Sequence, residues 1–211
     1  MSREQDPAGL KLAVLASGTG TNLQALLDQV HGRDGIEVVA VASDKREAPA
    51  LSRGSSAGVP VRSFSLDGYP DRGARDLAMG RWLVEQGAQL VVLAGYMQIL
   101  GDQFLSRFPG AVINVHPALL PAFQGLDAVG QALAYGVKVF GVTVHFVDGG
   151  VDTGPVILQR AVELPDARDR DDVLEVLHGI EHQLLPEAVR LIARGAVTID
   201  PTSPRHVLVR R

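Results

Sequence analysis

No cysteine occurs among the 211 residues, so the chain can form neither a disulfide nor a thiolate metal site, and its composition is compatible with a reducing compartment. Positive charge is also scarce: 20 Lys and Arg face 24 Asp and Glu, a formal charge of −4. No basic run exceeds a pair such as Arg210-Arg211, which argues against a protein that follows nucleic acid by releasing counterions. Apolar runs are short. Leu90 to Ala94 is typical, far below the ~20 residues that a bilayer span requires. The polar stretch 1–9 has no apolar h-region, so no secretory signal is expected and the reading is a cytoplasmic protein. Repeats and low-complexity tracts are missing too.

What is present is 46% hydrophobic residues punctuated by 23 Gly and 12 Pro, the composition of a globular domain with many turns. Short apolar runs alternate with longer amphipathic stretches, which predicts βαβ units around a buried parallel sheet. The pattern places strands at 11–16, 37–42, 60–64, 89–94, 111–115, 140–147 and 156–162. It places helices at 22–30, 49–57, 72–86, 102–108, 128–135 and 169–194, the last kinked or broken near Pro186. The octet 148–155 is too short for a crossover helix, so its two flanking strands should form an antiparallel or mixed pair. The expectation is an α/β fold: a single doubly wound, Rossmann-like domain over 10–200, with a mostly parallel, mixed sheet of about seven strands. Residues 1–9 and 201–211 read as flexible tails.

Three segments can carry chemistry. The first, Ser17-Gly18-Thr19-Gly20-Thr21-Asn22-Leu23, follows the first strand and opens a helix, where amide N–H groups can cradle an anion and Thr21 or Asn22 can cap or donate. Leu23 stands where a dinucleotide fingerprint has its third Gly, and the Walker Lys is absent, so a phosphate monoester fits better than NAD or ATP. The plainer reading is an ordinary capped turn. The second segment, Asn114-Val115-His116-Pro117, ends an apolar strand; period two puts its amide and imidazole on one face, able to hold a developing oxyanion and move a proton. The third, Asp148-Gly149-Gly150-Val151-Asp152-Thr153-Gly154-Pro155, is a constrained loop whose acid can orient an imidazole or relay protons, or simply make Asx turns. His145 reads as a hydrogen-bonded core residue, and His178 and His182 as a helical pair without a third metal ligand.

These segments, with 92–100 and 141–159, resemble the phosphoribosylglycinamide formyltransferase family, folate-dependent enzymes of purine synthesis, in order from Leu12 to Ile199. The resemblance implies transfer of a formyl group from 10-formyltetrahydrofolate to the amine of 5′-phosphoribosylglycinamide, by direct amine attack through a tetrahedral oxyanion and without a metal. Asn114, His116 and Asp152 match the family's catalytic trio. Gly20, Thr21 and Asn22 match its phosphate loop, and Glu181 a helix carboxylate that meets the ribose. Arg72, Met97, Gln98, Ile99, Leu100, Asp148, Gly149, Gly150 and Val151 match its folate-binding segments. Relatives often carry Arg at Gln98, Pro at Gln124 and His at Asp127, departures that bear on how the folate tail is held. The implied partners are the two small substrates, with no nucleic acid or membrane, and an edge strand leaves room for a homodimer.

Other readings share parts of this pattern. Formyltransferases acting on methionyl-tRNA carry a further domain for which 211 residues leave no room. Formyltetrahydrofolate hydrolases have a second His where Pro117 stands, sugar-amine formyltransferases differ little in chemistry, and a non-catalytic folate-binding module would keep only the fold.

Overall fold

The computed structural model describes residues 9–210. Seven strands form one sheet in the order β3-β2-β1-β4-β5-β6-β7. The first five, β1 (Leu10–Leu15), β2 (Ile36–Ser43), β3 (Val61–Ser63), β4 (Leu90–Leu93) and β5 (Val112–His116), run parallel. β6 (Val139–Phe146) lies antiparallel to β5 and, across the short octet, to β7 (Val156–Glu163).

Helices cover both faces, and the period-two alternation of the strands sorts their side chains between two cores. Leu12 and Val14 point into a core shared with Leu23 and Leu26 of α1 (Thr21–Gln29), Val129 of α5 (Ala128–Tyr135) and Leu177 of α6 (Arg170–Ala193). Ala13 and Leu15 point the other way, towards Met79 and Leu83 of α3 (Arg72–Glu85) and Phe104 of α4 (Asp102–Leu105). α2 (Pro49–Ser56) packs beside β2 and β3. Burial on both faces explains why the central strands read as unbroken apolar runs.

Two features differ from the sequence reading. α6 continues without interruption through Pro186. Proline cannot donate to the carbonyl four residues back, that of His182, and Gln29 Nε2 from α1 donates to that oxygen at 2.8 Å instead. The stretch 201–211, read as a C-terminal tail, also folds back: its β9 (Val207–Val209) pairs antiparallel with β8 (Val197–Ile199) beside β7, and Arg210 N–H donates to Ala196 O at 2.9 Å. The turn between them is held by Asp200 Oδ1, which accepts from Thr202 N and Oγ1 at 2.8 and 2.7 Å. Of the expected N-terminal tail, only Gly9 falls within the described residues.

From β1 the chain winds outward through β2 and β3, then returns to β4 on β1's other side. The loops leaving β1 and β4 therefore part at a topological switch point, where open α/β sheets bind ligands.

Candidate active site

A cavity of about 780 Å³ opens at that switch point, a volume suited to a ligand of cofactor size. Its two central loops are tied together: Ser17 N–H donates to Gly95 O at 3.0 Å, and Met97 N–H to Ser17 Oγ at 2.8 Å. At one end lies the start of α1. Gly20 occupies its N-cap with φ 74°, no side chain caps the helix, and its first turn carries no acid. The first helical bond is Gln24 N to Gly20 O, so the N–H groups of Thr21, Asn22 and Leu23 have no partner inside the helix. The expected capping by Thr21 or Asn22 is thus not used. Asn22 turns instead to Glu181, donating from Nδ2 to Oε2 at 2.7 Å, while its own Oδ1 is buried with no partner.

Glu181 is only 5% exposed, and burial raises its carboxyl above the usual 4.5 despite the Asn22 hydrogen bond and the neighbouring His178. A carboxylate with a raised folded-state pKa contributes stability below about pH 4.5 that is lost as pH climbs through the folded value. Glu181→Gln removes that penalty. Its melting temperature relative to the parent protein is expected to rise between pH 5 and pH 8, and a difference that stays flat over this range would contradict the reading.

At the cavity's other end, Asn114 and His116 project from one face of β5, and His145 stands opposite Asn114 on β6. The loop after β6 folds over this face and delivers Asp152. Its Oδ2 lies 3.4 Å from His116 Nδ1, and its Oδ1 3.2 Å from Asn114 Nδ2 and 3.6 Å from His145 Nε2. The two acids of the loop have different jobs. Asp148 Oδ1 makes the local turn, accepting from Gly150 N–H at 3.0 Å and from Thr153 Oγ1, whereas Asp152, with φ 51°, is turned inward. The segment 123–125 locks it there: Gly125 N–H donates to Asp152 Oδ2 at 2.8 Å, Gln124 Nε2 to Asp152 O at 3.0 Å, and Phe123 O meets His116 Nε2 at 2.8 Å.

Burial raises the Asp152 carboxyl, but the hydrogen bond from His145, the Gly125 N–H and the charges available on His116 and His145 outweigh it and leave the group below its ordinary range. Both His116 nitrogens face oxygen acceptors, an arrangement that satisfies the two N–H groups of an imidazolium. On His145, Nδ1 meets the Phe146 carbonyl at 2.7 Å, and Nε2 stands 3.2 Å from Asn114 Nδ2 and 3.6 Å from Asp152 Oδ1.

A formyl transferase profile matches residues 10–189. The chain belongs to the formyl transferase family. It is similar to the phosphoribosylglycinamide formyltransferase of Mycobacterium tuberculosis, at 47% identity over 192 residues covering 91% of this chain and 89% of that protein. The Bacillus subtilis protein of the same name is 38% identical over 181 residues, covering 85% and 93%. A crystal structure of glycinamide ribonucleotide transformylase 1 from Symbiobacterium toebii superposes with a TM-score of 0.93 at 42% identity, covering 100% of this chain and 98% of that one. The mixed seven-stranded α/β fold is the one this family uses.

Within this formyl transferase, the residues that the resemblance marks as catalytic or substrate-binding all line the cavity except Gly149, which lies on the exposed outer turn of its loop; Gln124 and His182 do not line it. The contributions of 123–125 are largely backbone atoms, which no side-chain motif advertises. His145 needed the β5–β6 register, because nothing in the sequence aligns it with Asn114. Asp127, exposed at the rim, pairs with Arg170 Nε at 3.1 Å, so its charge is countered locally. Among the described residues no group of three or more His, Cys, Asp or Glu is placed to hold a metal, and no helix is long and apolar enough to cross a membrane.

Proposed function

We propose that this protein transfers a formyl group from 10-formyltetrahydrofolate to the amine of 5′-phosphoribosylglycinamide, a step of purine synthesis in the cytoplasm. The observation that carries the reading is the convergence of Asn114, His116 and Asp152 at one end of a cavity whose other end is an uncapped helix N-terminus. Thr21 and Asn22 N–H groups, which have no partner inside the helix, suit a phosphate monoester, and the left-handed turn that presents them needs Gly20. Asn22 Oδ1 and Glu181 are acceptors beside that cradle, suited to ribose hydroxyls. The wall formed by Arg72, residues 97–100 and the 148–152 loop is left for the folate.

In the reaction the amine nitrogen bonds to the formyl carbon, and the carbonyl oxygen becomes an oxyanion. Asn114 Nδ2 and the charge on His116 stabilise it; the two 3.2 Å contacts of Asn114 are long enough for a charged acceptor to displace one. Asp152 keeps His116 charged and passes the proton of the attacking amine, through water, to the folate nitrogen as the bond from that nitrogen to the formyl carbon breaks. No enzyme nucleophile is needed.

The test is to mix the protein with a formyl-folate analogue and phosphoribosylglycinamide and follow free folate by absorbance. Release is expected only when the amine is present. Release without it would favour a hydrolase, and turnover with an amino sugar in place of the phosphorylated amine would favour that other transferase.

The phosphate assignment has its own check. A Cβ on Gly20 would lie 2.8 Å from both Ala50 Cα and Ala50 Cβ, at a φ of 74° that side chains rarely adopt. Gly20→Val should therefore cost about 1–3 kcal/mol of stability. It should also raise KM for the phosphorylated amine well beyond any change in KM for the formyl donor. Equal rises for both substrates would contradict the cradle.

A further inference from the structure

Helix α3 buries two charges side by side. Arg75 and Asp76 are each 1% exposed, and Asp76 Oδ1 alone accepts from both Arg75 Nε (3.0 Å) and the nearer terminal nitrogen (2.7 Å). The other Arg–carboxylate pairs among the described residues keep at least 38% of each side chain exposed. Removing two ions from water costs more than their attraction returns unless the remaining donors and acceptors are also matched, so where those atoms turn is informative.

They turn to one short segment. Asp76 Oδ2 accepts the Gly101 backbone N–H at 3.0 Å, and Arg75's other terminal nitrogen donates to Gln98 Oε1 at 3.3 Å. Gln98, Ile99 and Leu100 between these points form a wall of the cavity. Ile99 is 58% exposed there, apolar surface offered to a ligand rather than to the core. Gln98, whose Oε1 takes the guanidinium's hydrogen bond, is itself one of the lining residues. A pair placed only for stability would use both carboxylate oxygens on the cation in a bidentate fork; here one oxygen is reserved for the loop.

We propose that Arg75 and Asp76 are positioning residues, a two-point clamp that fixes 98–101 against α3 and thereby sets the affinity of this wall for the formyl donor. The ligand named here rests on the donor assignment made above; the clamp itself rests on the hydrogen bonds.

The experiment compares Arg75→Met, Gln98→Leu and the double variant. Each single change is expected to weaken binding of a formyl-folate analogue, measured by calorimetry, and to raise donor KM by about fivefold, with less than a twofold change in KM for the amine. The double variant should be no worse than Arg75→Met alone, since the two residues act through one contact. Hydrogen exchange of the peptide covering 96–101 should accelerate about tenfold or more in Arg75→Met while β1 and β4 keep their protection. Additive losses, equal rises in both KM values, or unchanged exchange would overturn the clamp. If Arg75→Met does not fold, Gln98→Leu, which leaves the ion pair intact, decides by the same donor-selective loss and faster exchange at 97–99; neither effect would refute the idea. If the parent protein binds no folate, the donor assignment fails, and the exchange data alone decide the clamp.

Discussion

Asn114→Ala is expected to lower the turnover of formyl transfer by about 100-fold or more, the size of one lost oxyanion donor in a preorganised site. The substitution takes nothing from either hydrophobic core, since Asn114 is half-buried and its amide faces His145 and Asp152. KM for both substrates should move far less than kcat, because the contact forms with the developing charge and not with the ground state. A purified, folded variant with the parent rate would remove Asn114 from the reaction.

Asp152→Asn should slow transfer by on the order of 10²–10⁴-fold, the range of a lost proton-transfer group. Asparagine tolerates the left-handed backbone that Asp152 adopts, so the loop can keep its course. The chemistry cannot persist. An amide oxygen can still accept from Gly125 N–H, but the new NH₂ group then faces Asn114 Nδ2, donor against donor, and no charge remains beside His116. Stability carries a matching signature. Because the folded-state pKa of Asp152 is lowered, its stabilisation is present above the ordinary value of 3.8 and lost as pH falls through the folded value. The variant should be the less stable protein at pH 7, and the gap should close in acid below about pH 4. A gap that persists there, or an unaltered pH–rate profile, would count against the carboxylate's role.

The parallel half of the sheet was legible because strands buried on both faces announce themselves as apolar runs, Leu90–Leu93 most plainly. The antiparallel pairing of β6 with β7 was legible from the length of the octet between them, whereas the antiparallel pairing of β6 with β5, across a connection that holds α5, was not. The break expected at Pro186 does not occur, and the group that serves the carbonyl freed there, Gln29, lies 153 residues away in the chain. The hairpin of β8 and β9 was hidden by strands of three residues each and by Pro201 and Pro204 between them, a composition that reads as a loose end. Asn114, His116 and Asp152 could be named as residue types suited to the chemistry, yet the contacts that hold Asp152, from Gly125 N–H and the Gln124 side chain, exist only once the chain is folded.

That hairpin also touches the loop that carries Asp152. Arg205, in the turn before β9, donates to the backbone carbonyl of Thr153, the residue after Asp152. Trimming the chain before Val197, or hanging a bulky label on its final strand, would disturb the peptide next to Asp152. A purification handle placed there reaches the 148–155 loop from outside the cavity.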